Sequence, residues 1–205
     1  MLEPLARYYA EKLRAHGTTA RGVDWNSPES QDQRFTELLR VCRGDRNASI
    51  NDYGCGYGAL AARLRRDDCR GPYRGYDVAP EMVAAANAQA GVLDDCRFTG
   101  DARELTVADY TIASGIFYVR LAASVDAWER HVRETIDRMA ALSRRGFAFN
   151  MLTSHSDADR MRNDLYYGDP AAWLTYCLRL FPRSVALLHD YPLYEFTILV
   201  RTGRD

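Results

Sequence analysis

Lysine is almost missing from this chain of 205 residues: Lys12 stands alone against twenty-six arginines. With 28 acidic residues the formal charge is only −1, and no basic tail or domain is present. Charge therefore offers no general hold on nucleic acid or an anionic lipid surface. Paired cysteines are missing as well. The five cysteines (Cys42, Cys55, Cys69, Cys96, Cys177) are irregularly spaced and contain no C-x-x-C. That argues against a disulfide framework or a zinc site, and for reduced thiols in the cytoplasm. The histidines, His16, His131, His155 and His189, are too scattered for ligand spacing, so no metal is expected. No apolar run approaches the roughly 18–20 residues of a membrane span. Residues 1–14 lack the apolar block of a secretory signal. What is present, 47% hydrophobic and 27% charged residues, suits one soluble domain with a sizeable core.

The first part of the chain reads as helical. Leu5, Tyr8, Tyr9, Leu13 and His16 recur at helical spacing over residues 4–16, and Gly17 stops the pattern. Ser27 as N-cap, Pro28 behind it and Glu29 in the first turn open a second helix, with Phe35, Leu38 and Leu39 on its buried side. The rhythm then alternates. Strands are predicted at Ser49–Tyr53, Tyr73–Asp77, Cys96–Thr99, Tyr110–Ala113 and Gly146–Leu152. Helices are predicted at Ala59–Arg66, Pro80–Ala90 and Ala127–Leu142, the last with Trp128, Val132, Ile136 and Met139 along one side. Such alternation implies a parallel sheet with helices on both faces. After a helix at Ala171–Phe181, strands at Ser184–His189 and Tyr194–Arg201 are separated by only Asp190–Leu193. A parallel crossover needs a dozen residues or more, so the last strand is expected to run antiparallel.

Chemistry concentrates at Asn51-Asp52-Tyr53-Gly54-Cys55-Gly56-Tyr57-Gly58, between a strand and a helix. Alternating glycines allow a sharp turn and close approach of a ligand, and the helix start beyond offers N–H groups to an anion. Asp77 ends the second strand and Asp101 follows the third, so both carboxylates project from the carboxyl edge of the sheet, where such sheets bind ligands. An acid at Asp77 can accept both hydroxyls of a ribose.

These residues resemble the class I S-adenosylmethionine (SAM) dependent methyltransferases, over roughly residues 45–205. Asp52 to Gly58 looks like the acidic-x-Gly-x-Gly-x-Gly signature, Tyr76-Asp77 like the ribose-binding acid, and Gly100-Asp101-Ala102 like the adenine position. Ser114-Gly115-Ile116-Phe117 resembles the segment after the fourth strand that borders cofactor and substrate. The resemblance implies a Rossmann-like, doubly wound, mostly parallel seven-stranded sheet with an antiparallel last strand, preceded by an N-terminal helical extension. It implies domains at 1–45 and 46–205. It implies that the turn at Gly54, Cys55 and Gly56 cradles the methionine carboxylate and that Asp52 faces the α-ammonium. Asp77 and Val78 then take the ribose side, Asp101 and Ala102 the adenine edge, and Met82, Ile116 and Phe117 enclose the adenine or the sulfonium, with Ser114 and Gly115 beside them. Gly54-x-Gly56-x-x-Ala59 also matches the dinucleotide fingerprint, but Asp52 would repel a pyrophosphate.

Methyl transfer from SAM is an in-line displacement that needs alignment and dryness, and a base only for some acceptors. Candidate bases are Tyr9, His16 and His189. The N-terminal extension, with Trp25, reads as a lid over the glycine turn. Asn150, Tyr166 and Tyr167, after the fifth strand, are candidate acceptor contacts. After the fourth strand the chain reads Ala113-Ser114-Gly115-Ile116, without the N/D-P-P-Y of base and glutamine methylators. A small-molecule acceptor, no nucleic-acid or membrane partner, and a monomer or homodimer are expected. Transfer of the aminocarboxypropyl chain of SAM, NAD-dependent oxidation, and a non-catalytic module on the same fold stand as alternatives.

Overall fold

A computed structural model describes residues 2–90 and 94–202; the remaining positions, which fall at the ends and inside the domain ranges expected above, lie outside the described residues. The chain runs α1 (Leu2–His16), α2 (Pro28–Leu39), β1 (Ile50–Tyr53), α3 (Ala59–Arg66), β2 (Tyr73–Tyr76), α4 (Pro80–Ala90) and β3 (Cys96–Thr99). It continues through β4 (Ala108–Ala113), α5 (Val125–Ala141), β5 (Ser143–Thr153), β6 (Tyr167–Gly168), α6 (Pro170–Leu180), β7 (Val185–Leu188) and β8 (Glu195–Arg201).

Local chemistry sets the helix starts. Ser27 accepts from the Ser30 N–H while the Ser30 side chain accepts from the Ser27 N–H, a capping box with Pro28 just inside. Ser124 caps α5, and Asp169 with Pro170 does the same for α6. In α5 the predicted stripe of Trp128, Val132, Ile136 and Met139 is fully buried. Each such side chain contributes about 1.5–3 kcal/mol of transfer free energy.

The sheet order is β3-β2-β1-β4-β5-β8-β7. All neighbours are parallel except β8, which runs against both β5 and β7. The antiparallel final strand is therefore present, and the seven-strand path holds. The difference is an eighth piece: β6 pairs with the end of β5 through Leu152–Tyr167 and Thr153–Gly168. Two residues carry no periodicity, so no sequence pattern announces it. Separate apolar cores fill the two faces. One gathers Trp128, Phe147, Phe149 and Phe196 beneath α5 and α6. The other gathers Leu38, Leu60, Tyr73 and Ile112 beneath α2 and α3. Among the described residues no helix is long and apolar enough to cross a membrane.

A buried ion pair joins α2 to the sheet. Arg34 Nε donates to Glu195 Oε2 at 3.0 Å, with side-chain exposures of 8% and 0%. The Tyr118 hydroxyl donates to the same carboxylate oxygen, and the Arg34 guanidinium lies 4.1 Å from the centre of the Trp25 ring. Such a pair needs all of these partners, since desolvating two charges otherwise costs more than their attraction returns.

Candidate active site

The order of the sheet reverses between β1 and β4, because β2 lies on one side of β1 and β4 on the other. At such a switch point the connections diverge to opposite faces and leave a crevice at the carboxyl ends of the strands. A cavity lies there. Its floor is the turn after β1, its sides are the ends of β2 and β4, and its roof is the N-terminal segment through Leu2, Leu5, Tyr9, Val23 and Trp25.

The turn is built by hydrogen bonding as much as by glycine. The Gly54 and Cys55 N–H groups both donate to the Tyr76 carbonyl, at 2.7 and 2.9 Å. The Gly56 N–H donates to Asp77 Oδ2 at 2.8 Å. These three amides, expected to cradle a ligand carboxylate, are thus engaged in holding the turn to β2. What the turn supplies is close approach. Gly54 has φ +90°, and a β-carbon there would stand 2.2 Å from Ile116 Cγ2. The N-cap of α3, Gly58, makes no side-chain cap hydrogen bond.

Asp52 and Asp77 both line the cavity. Asp52 is buried in β1; the Tyr73 hydroxyl donates to its Oδ2, and its Oδ1 has no partner among the described residues. Burial, reinforced by the charge of Asp77 and opposed by the Tyr73 bond, pushes its pKa up to about 7. Asp77 Oδ1 accepts from the Ala79 N–H at 2.9 Å. Burial raises its pKa as well, against the backbone N–H groups that favour the charged form. Each carboxylate oxygen has a second lone-pair site, so Asp77 keeps acceptor capacity for two further donors.

Ser114, Gly115 and Ile116, after β4, form the opposite wall. Ser114 Oγ is buried and also without a partner. The Gly115 N–H donates to Asn150 Oδ1 at 2.7 Å, and the Trp25 ring lies flush on Gly115, where a β-carbon would meet its Cη2 at 2.2 Å. Gly115→Ala, at φ +75°, is expected to cost about 1–2 kcal/mol through the left-handed backbone alone and to displace Trp25. Thermal unfolding and near-ultraviolet circular dichroism check both effects.

The structure brings together at one cavity Tyr9 and Trp25; Asp52, Gly54, Cys55 and Gly56; Asp77, Val78 and Met82; and Ser114, Gly115 and Ile116. Other expected site residues lie elsewhere. His16 ends α1 in solvent, and His189 is exposed, its ring 6.2 Å from Phe196. Asp101 caps the short turn 102–104 and is held by Arg103, which keeps its carboxyl near 2; neither it nor Ala102 lines the cavity. Phe117 is fully buried in the core beneath α5. Asn150 reaches the site only through Gly115. Tyr166 is drawn into the core, donating to Glu129 and accepting from the Trp173 indole, both at 3.0 Å. Tyr167 sits in β6 and accepts from the Arg162 N–H at 3.0 Å. The long excursion 154–166 brings Tyr166 to Glu129 of α5 and Trp173 of α6, which sequence spacing does not show. Sequence reasoning also missed a lining residue, His131. Its signal was its position one turn past Trp128 on α5.

The chain is 51% identical over 163 residues to Rv1506c of Mycobacterium tuberculosis (strain ATCC 25618 / H37Rv), provisionally named a methyltransferase; the match covers 80% of this chain and 98% of that protein. It belongs to the class I SAM-dependent methyltransferases. No family model matches the chain. Its fold is similar to that of the N-methyltransferase NodS from Bradyrhizobium japonicum WM9 in complex with S-adenosylhomocysteine (SAH), with a TM-score of 0.66, 14% identity and coverage of 97% and 98% of the two chains. The DhpI–SAH complex has a TM-score of 0.64 at 16% identity, covering 100% of this chain and 98% of that one. The magnesium protoporphyrin IX methyltransferase of Synechocystis PCC 6803, with bound SAM, has a TM-score of 0.60 at 15% identity, covering 85% and 79%.

Proposed function

We propose that this cavity binds SAM and transfers its methyl group in line to a small-molecule acceptor enclosed under the N-terminal segment. The observation that carries this reading is Asp52 Oδ1, a buried carboxylate oxygen with no partner among the described residues, on the wall of the same cavity as Asp77. A buried acceptor left unpaired is costly, and a cationic donor such as the α-ammonium of SAM satisfies it. Ser114 Oγ offers a second polar contact. Asp77 accepts the ribose hydroxyls, and Gly54 lets Ile116 pack against the turn on the cavity wall. SAM supplies an already activated methyl on a cationic sulfonium. The protein's part is to orient, to bury and to exclude water. Residues 2–26 serve as the lid, since Leu5, Tyr9, Val23 and Trp25 close the cavity from outside. The even charge balance and the compact build favour a small acceptor in the cytoplasm over nucleic acid.

The pKa of Asp52 gives the test a direction. With its pKa pushed up to about 7, the carboxyl is neutral below that pH and cannot pair with the ammonium. SAM affinity should rise as pH increases from 6 to 8, with a proton released on binding near neutrality. The unliganded protein should behave oppositely. A carboxyl whose pKa is raised on folding adds stability at low pH that is lost as pH rises through 7. Calorimetric titrations across this range, in buffers of different ionisation enthalpy, measure both affinity and proton release. Affinity independent of pH in wild type, or the same pH dependence in Asp52→Asn, contradicts the assignment.

A further inference from the structure

We propose that His131 is the general base of this site and that the acceptor is a phenolic hydroxyl on a planar aromatic molecule. The inference rests on the methyl-transfer reading above. It follows from what each titratable group on the cavity wall is already doing. Asp77 holds two backbone amides and Asp52 holds the Tyr73 hydroxyl, leaving one oxygen for a cation. The Cys55 thiol is buried against the Gly56 carbonyl. Tyr9, Tyr53, Tyr57 and Tyr76 are all pushed by burial towards the protonated form, which donates rather than accepts. His131 is the imidazole on this wall, and its ring makes no hydrogen bond to the described residues. The Trp128 ring, 5.3 Å away, backs it.

Burial lowers the His131 pKa, with Glu134 of the same helix opposing. The imidazole is therefore neutral at neutral pH and ready to take a proton. An amine that is already neutral needs no such group, and an alkyl alcohol is too weak an acid to suit it. A phenol, with an ordinary pKa of about 10, is a far stronger acid than an alkyl alcohol and the better partner for a neutral imidazole. Aromatic rings line the cavity, Trp25 together with Tyr53 and Tyr76, the last two 4.9 Å apart, and such faces suit a flat apolar body. In the reaction the acceptor O–H bond breaks. Its proton goes to an imidazole nitrogen, and an oxygen electron pair forms the new bond to the methyl carbon. The bond from that carbon to sulfur breaks with its pair returning to sulfur, so SAH leaves as a neutral thioether and the imidazolium later returns its proton to water.

The test uses the whole chain with catechol, 4-hydroxybenzaldehyde, aniline and thiophenol as probes. Calorimetry with SAM comes first, then SAH release with each probe, for wild type, His131→Gln and His131→Ala. Both variants should bind SAM within about twofold of wild type. Wild type should methylate the phenols, and the variants should lose about 10²–10⁴-fold in that rate, whereas any methylation of aniline or thiophenol, which needs no base, should be unchanged in the variants. A second readout needs no turnover. In the SAH complex, catechol should shift the imidazole ¹⁵N signals that are missing from His131→Gln, and should leave those of His16, His155 and His189 in place. SAM binding with no methylation of either phenol, or full activity in His131→Gln, or unmoved His131 signals, overturns this proposal and leaves the cofactor reading standing. Failure of wild type to bind SAM overturns both.

Discussion

Glu195→Ala is expected to destabilise the protein by about 3–5 kcal/mol, the range for breaking a buried ion pair by removing one partner. Glu195 is fully buried and Arg34 nearly so. Truncating the acid strands the guanidinium against Trp25 and leaves the Tyr118 hydroxyl without its acceptor. For a chain of this size the loss corresponds to roughly 6–20 °C in melting temperature. Two further variants separate charge from shape. Glu195→Gln keeps an oxygen for Tyr118 and should lose less. Arg34→Met combined with Glu195→Leu removes both charges and should recover much of the stability, since well-packed apolar pairs replace buried ion pairs at little cost. Chemical denaturation of the four proteins decides it. A Glu195→Ala protein within 1 kcal/mol of wild type contradicts the role given to this pair.

Asp77→Ala should weaken SAM binding by about 1.5–3 kcal/mol, the range for lost hydrogen bonds to a charged group. That is a loss of more than tenfold to more than a hundredfold in affinity. The structure adds a reason that the spacing of motifs did not contain. Asp77 also anchors the Gly56 and Ala79 N–H groups, so its removal loosens the turn as well as deleting the proposed ribose contact. Asp77→Asn retains one side-chain oxygen as acceptor and should fall between the two. Affinity unchanged in Asp77→Ala contradicts the ribose assignment.

These expectations draw unequally on sequence and structure. The helix α5 was legible because Trp128, Val132, Ile136 and Met139 repeat at helical spacing and nothing local competes. The glycine turn and Asp77 were legible because a tight turn and a strand-end acid leave fixed residue types at fixed separations. The Arg34–Glu195 pair was not, since its members lie 161 positions apart and only the placement of α2 over β8 unites them. His131 was hidden for a similar reason: the helix face was readable, but that α1 leaves a cavity over that face was not. Asp101 was legible as an acid at the end of the third strand, but its pairing with Arg103, two residues on, was not.

Asp52 and Asp77 are proposed to hold the α-ammonium and the ribose hydroxyls of one ligand across the glycine turn. A crystal structure of the SAH complex tests it most directly. The amino group should lie within hydrogen-bond distance of Asp52 Oδ1, and both ribose hydroxyls should reach the Asp77 carboxylate. Density for SAH outside this cavity, or bound within it with either carboxylate facing away, would contradict the account.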